Sequence, residues 1–200
     1  MDLYQKIEGI KLVPVVVFKT LDEVKPTLNA LIEGDVPVAE ICFRTECAKE
    51  AIEIAVNEYP DMLIGAGTVI NKEQAISAIN AGAKFIVSPG FSENVYLVCK
   101  ENNIPYIPGV VTPTEIMKAL EYNLTYLKFF PAGVFGGLKA LKALSAAFPQ
   151  VKFMPTGGVN NENLDEFITE KYIFAIGGSW LLKDDIVSKC LEARKIVKEK

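Results

Sequence analysis

Short β-prone runs alternate with longer amphipathic segments along almost the whole of this chain, and that regularity leaves few folds open to it. Residues 12–18, 38–43, 63–66, 85–87, 106–108, 126–130, 152–155 and 172–176 read as strands, bounded by turn residues and rich in Val, Ile, Leu and Phe. Helix-patterned segments follow each of them, at 21–33, 47–58, 72–81, 93–101, 114–121, 137–147 and 161–168, and, after a short turn at 180–182, from about 186 to the end. A further short helix over 2–8 precedes the first strand. Strands that alternate with helices pair in parallel through right-handed crossovers, and eight such units suffice to close a barrel. The expected fold is α/β, a (β/α)₈ TIM barrel with a short N-terminal helix, occupying residues 1–200 as one domain. An open doubly wound sheet is the competing arrangement. Asn71, Thr112 and Asn160 stand where helix caps are needed, and Gly34 and Gly82 fit helix ends.

Composition narrows the chemistry. There is no histidine, which argues against Ser-His-Asp or Cys-His catalysis and against the usual zinc sites. Proton transfer then falls to Glu, Asp, Lys, Tyr or water. Cys42, Cys47, Cys99 and Cys190 are widely spaced with no CxxC pair, and read as reduced thiols of a cytoplasmic protein. No metal and no cofactor are therefore expected. The net charge is −4 with basic residues spread along the chain, so no nucleic-acid footprint is present. No apolar run reaches the roughly 18 to 20 residues of a membrane span. The acidic Asp2 and Glu8 ahead of a short apolar run, with no small-residue cleavage site after it, do not make a signal peptide. A small-molecule partner fits best.

In a barrel the active site lies at the C-terminal ends of the strands. Strand interiors should be apolar there, yet the second strand carries Glu40, Cys42 and Arg44 at i, i+2 and i+4, on one face. The sixth places Lys128 between Leu127 and Phe129. These charges could form a buried ion-pair network that only fills space, but such pairs are poor stabilisers and ask for another reason. Apolar neighbours desolvate an ammonium and favour the free amine, which can attack a carbonyl; a nearby carboxylate acts the other way. After strands seven and eight, Gly157, Gly158, Gly178 and Ser179 form glycine-rich turns. Barrels often hold phosphate at that place on backbone N–H groups.

The chain resembles the 2-keto-3-deoxy-6-phosphogluconate (KDPG) / 4-hydroxy-2-oxoglutarate (KHG) aldolase family, class I. The motifs PVVVFKT, EICFRTECA, IGAGTVIN, AGAKFIVSPG, IPYIPGVVTPTE, LKFFPA, MPTGGV and IGGSWL carry the likeness in order over nearly the whole chain. The resemblance implies a lyase with Lys128 as Schiff-base lysine and Glu40 as general acid/base. Arg44 would hold the substrate carboxylate with help from Thr68. Pro89 and Phe130 would wall the pyruvyl methylene, and Gly157, Gly158, Gly178 and Ser179 would take the phosphate. It also implies a homotrimer, a phosphorylated keto acid as partner, and a place in carbohydrate metabolism such as the Entner–Doudoroff pathway. Cys42 and Phe43 stand where Thr and Leu are expected, and GVFGG at 133–137 stands where EANGG is common. Those departures bear on the aldehyde half of the substrate. A 2-keto-3-deoxy-6-phosphogalactonate aldolase, or a non-aldolase phosphate-binding barrel (an isomerase, an epimerase or a ligand-binding protein), are the other readings.

Overall fold

The computed structural model describes residues 3–199, leaving Asp2 of the expected first helix and Lys200 of the last outside the described residues. Strands β1 (Leu12–Val16), β2 (Val38–Cys42), β3 (Leu63–Gly67) and β4 (Ile86–Val87) lie side by side in parallel. Next comes β5, which consists of Tyr106–Ile107 and Gly109–Val110 on either side of Pro108. Proline offers no N–H to a ladder, so the strand pairs with β4 before the proline and with β6 (Tyr126–Phe129) after it. β7 (Lys152–Pro155) follows β6 through four register pairs. Bridges between Phe153 and Ile173 and between Thr156 and Gly177 join β7 to the last strand, β8 (Ile176–Gly178). β8 then pairs with β1 from Leu12↔Ile176 to Pro14↔Gly178. The ring closes, and an open sheet, which would leave two edges, is excluded.

Three expected boundaries move for physical reasons. The sequence places the last strand at 172–176, but it runs over Ile176–Gly178, through two glycines that strand propensity disfavours. A Cβ on Gly177 would lie 2.2 Å from Thr156 Oγ1, so a bare backbone is what lets β8 approach β7. The helix expected over 161–168 is shortened to α8 (Leu164–Ile168). Side chains of Asn160 and Asn163 accept from the Glu162 and Asn160 backbone N–H groups at 2.9 Å each, which folds the preceding residues into turns; Asn160 is therefore no helix cap. The segment expected as one helix over 21–33 opens as a 3₁₀ turn, Leu21–Glu23, and becomes α2 (Val24–Glu33) with Pro26 in its first turn, where a missing N–H costs nothing. Asn71 and Thr112 do cap α4 (Lys72–Asn80) and α6 (Pro113–Glu121), the latter in a full capping box with Glu115.

The remaining outer helices are α3 (Ala48–Glu58), α5 (Glu93–Glu101), α7 (Gly137–Ala147) and α9 (Ile186–Lys198). Their buried faces pack on the outside of the ring, where Ile41, Ile52, Ile64, Leu141 and Ile168 belong to one continuous core. The first helix, α1 (Leu3–Ile10), does something different. Its Tyr4 ring stacks on Tyr126 at 4.0 Å, Tyr126 meets Phe174 edge-on at 5.0 Å, and Ile7 is wholly buried. α1 thus stoppers the N-terminal end of the barrel. No helix among the described residues is long and apolar enough to cross a membrane.

Candidate active site

β2 and β6 each send one charged side chain into the barrel. Glu40 is fully buried and Lys128 is 3% exposed, and Lys128 Nζ donates to Glu40 Oε1 at 3.1 Å. Both come from strands that are otherwise apolar, and strand alternation is what turns them inward. Glu40 Oε2 is buried without a hydrogen-bond partner among the described residues. A buried ion pair loses several kcal/mol of hydration per ion, on the order of what its attraction returns, and an unsatisfied carboxylate oxygen adds to that deficit. The pair is a poor way to stabilise a barrel and a good way to keep a proton acceptor against an ammonium.

Backbone room makes this geometry feasible. A Cβ on Gly67 of β3 would sit 2.3 Å from Glu40 Oε1 and 2.5 Å from its Cγ, so the carboxyl lies directly on bare main chain. Gly67→Ala is expected to overpack the interior by about 1 to 3 kcal/mol. A clear fall in Tm would register it, whereas an unchanged melting curve would mean that the carboxyl has somewhere else to go.

Around this pair the second strand continues as the sequence suggests. Cys42 lies fully buried, and burial, aided by the Glu40 charge, pushes its thiol up to about 11, so it stays protonated and unreactive. Arg44 lies just beyond the strand and is exposed. Its Nε donates to Thr68 Oγ1 at 2.9 Å, which leaves the outer face of the guanidinium fork for an anion. Thr68 holds φ 55°, a left-handed conformation that costs a β-branched residue on the order of 1 to 3 kcal/mol.

A cavity of about 230 Å³ opens toward the C-terminal mouth above Lys128. Val15, Val17 and Phe130 give it an apolar wall, with Lys128 Nζ 5.2 Å from the Phe130 ring centre. Arg44, Thr156, Gly157, Gly178 and Ser179 supply its polar side. Gly157 has φ 84° and Gly158 φ 89°, both open only to glycine at little cost. The turn at 178–180 is fixed by Trp180, whose indole N–H donates to Asn161 Oδ1 at 2.8 Å and whose ring passes so near Gly178 that a Cβ there would be 2.2 Å away.

The structure gathers Lys128, Arg44, Phe130, Gly157, Gly178 and Ser179 on one cavity, with Glu40 beneath and Thr68 on Arg44. Two expected residues stand apart from its lining. Gly158 turns against Gly133, whose Cα is 2.8 Å from where its Cβ would be. Pro89 borders a neighbouring hollow with Val69, Ile70 and Phe91. Thr156, Val15 and Val17 also line the cavity, and nothing in the motifs singles them out. A polar residue at the end of the seventh strand signals Thr156, but valines in a strand signal nothing beyond the strand. Among the described residues no three His, Cys, Asp or Glu side chains gather at metal-binding range.

Known proteins share both the sequence and this architecture. Residues 3–198 match the family described as KDPG and KHG aldolase. The KHG/KDPG aldolase of Escherichia coli strain K12 is 44% identical over 173 residues, 86% of this chain and 81% of that protein. The KDPG aldolase of Legionella pneumophila, solved with pyruvate captured as a covalent carbinolamine intermediate, superposes with a TM-score of 0.88 at 36% identity, over 99% of this chain and 98% of its own. The 2-keto-3-deoxy-6-phosphogluconate aldolase of Zymomonas mobilis, solved with 3-phosphoglycerate, gives a TM-score of 0.89 at 34% identity, over 98% and 95%. On sequence, barrel and extent of match alike, this chain belongs to the KDPG and KHG aldolase family.

Proposed function

We propose that this protein is a class I aldolase that cleaves 2-keto-3-deoxy-6-phosphogluconate to pyruvate and glyceraldehyde 3-phosphate, with Lys128 as the covalent nucleophile. The observation that carries the reading is the buried Lys128–Glu40 contact of 3.1 Å beneath a cavity rimmed by a cation and two glycine turns. The carbinolamine in the Legionella relative and the phosphorylated three-carbon acid in the Zymomonas relative support it.

The chemistry follows from the arrangement. Proton transfer from Lys128 to Glu40 frees the amine, which attacks the C2 ketone to form a carbinolamine. Glu40, now carrying a proton, gives it to the departing hydroxyl; water leaves and the iminium forms. Glu40 as carboxylate then takes the proton of the C4 hydroxyl. The C3–C4 bond breaks, its electron pair moves into the iminium, and the aldehyde departs. The enamine gains a proton at C3, and water hydrolyses the resulting imine to pyruvate and the free lysine. Arg44, oriented by Thr68, offers two parallel N–H groups to the substrate carboxylate, which a lysine could not do. Phe130 and, from the adjoining turn, Pro89 exclude water from the pyruvyl carbons. Gly157, Gly178 and Ser179 take the phosphate on backbone N–H groups and a hydroxyl, and Gly158 gives their turn its shape. The protein works as a homotrimer, as the family resemblance implies, and in the cytoplasm, where its widely spaced cysteines stay reduced.

Release of pyruvate and glyceraldehyde 3-phosphate from the phosphogluconate-derived acid, at a higher kcat/KM than from its galactonate epimer or from 4-hydroxy-2-oxoglutarate, tests the substrate. Ser179→Ala separates the phosphate from the rest. It should raise KM for the phosphorylated acid about ten- to a hundredfold, the worth of one hydrogen bond to a charged group, and leave 4-hydroxy-2-oxoglutarate nearly unaffected. Equal losses on both would move the phosphate to another part of the mouth.

A further inference from the structure

The turn after β4 is anchored from inside the wall of the barrel. Tyr106, in β5, is 2% exposed. Its hydroxyl accepts from the Ser92 backbone N–H at 3.1 Å and donates to the Gly90 carbonyl at 3.3 Å, gripping the turn on both sides of Phe91. At the near end of the same turn the Ser88 hydroxyl donates to the Val69 carbonyl, one residue on from Thr68. At its centre the Pro89 carbonyl presses on Gly109 so closely that a Cβ there would lie 2.0 Å from the oxygen. Gly109 is in register with Lys128. One phenol oxygen is thus linked to the turn that carries Pro89, through Ser88 to the turn that carries Thr68, and across a single glycine to the backbone of the nucleophile's strand.

Packing does not account for that oxygen. Phenylalanine would fill the same volume, and a hydroxyl costs a few kcal/mol to bury unless it is bonded. Burial pushes the Tyr106 hydroxyl up to about 12, so it keeps its proton and its donor role at any working pH. Thr68 in turn needs a restraint, because its left-handed backbone would relax if the turn were free.

We propose that Tyr106 is a positioning residue that presets the turns carrying Pro89 and Thr68 around the pyruvyl half of the substrate. The inference rests on the reading of Lys128 as the Schiff-base lysine. Tyr106 is not among the residues that line the cavity; it acts through the backbone at Gly90 and Ser92 and through Ser88. Loosening it should therefore weaken the hold on pyruvate while leaving the phosphate rim, built from the turns after β7 and β8, as it was.

Two titrations test this on the intact protein. Borohydride trapping over a range of pyruvate concentrations gives the half-saturating pyruvate, and competitive inhibition by inorganic phosphate probes the rim. For Tyr106→Phe the half-saturating pyruvate is expected to rise about three- to tenfold, the loss of one or two neutral hydrogen bonds, with the phosphate inhibition constant unchanged. Two unchanged constants would make Tyr106 packing alone and overturn the inference. Parallel rises in both would mean general loosening and overturn it equally. Should Tyr106→Phe not fold, Ser88→Ala cuts the link to Val69 and is judged by the same two constants. A wild-type protein that pyruvate and borohydride fail to label at Lys128 would instead bring down the aldolase reading, and this inference with it.

Discussion

Treatment with pyruvate and borohydride is expected to leave a single reduced pyruvyl adduct per chain, on the peptide that carries Lys128, and Lys128→Arg is expected to abolish both the adduct and turnover. The chain has many lysines, so the location of the adduct is the informative part. Lys25 and Lys118 lie at the surface in ion pairs, and their amines are held protonated by Glu58 and Glu121. Lys11 is different, since burial lowers its pKa, but its amine donates to the Ile173 carbonyl at 3.1 Å, toward the end stoppered by α1. Among the described residues, only Lys128 couples a buried amine to a carboxylate on an open cavity. Arginine keeps its charge at every working pH and cannot add to a ketone, so the loss should be complete. Peptide mass spectrometry decides the matter, and an adduct on another lysine would refute the mechanism.

Glu40→Gln should slow turnover by about 10² to 10⁴ while leaving the protein folded. The change keeps the shape of the side chain and its place over Gly67 but removes the group that carries the proton. If Glu40 served only to neutralise Lys128, the outcome would differ: an unpaired buried cation costs about 3 to 5 kcal/mol, and early melting would be the main defect. Measuring kcat well below the Tm of the variant separates the two. Near-normal turnover there would reduce Glu40 to a charge partner.

The barrel was legible because its units repeat: apolar runs that are buried on both faces have to be strands, and amphipathic segments between them have to cover the outside. What escaped reading was decided by contacts between distant residues. Gly177 and Gly178 look like a turn until Thr156 and Trp180 are seen to occupy the space where their side chains would be. Pro108 looks like the end of a strand, yet the strand resumes because Gly109 has both Lys128 and the Pro89 carbonyl to meet. The site divides in the same way. Charges in apolar strands betray Glu40 and Lys128, since burying them is hard to justify otherwise. Val15 and Val17 line the same cavity and are chemically silent, and Tyr106 reads as one more strand aromatic until its hydroxyl partners are known.

The stopper formed by α1 makes the barrel a vessel with one neck. Tyr4 stacked on Tyr126 covers the far end, and the cavity that opens onto Lys128 is the one that Arg44, Phe130 and Ser179 also line. For a substrate held as proposed, the keto-acid half lies deepest and the phosphate end nearest the rim. The covalent tether and the depth of the site then set the same order of traffic: the aldehyde departs first, and pyruvate, still bonded at the base, follows. In the synthetic direction the queue reverses, and an aldehyde that arrived before pyruvate would stand in its path.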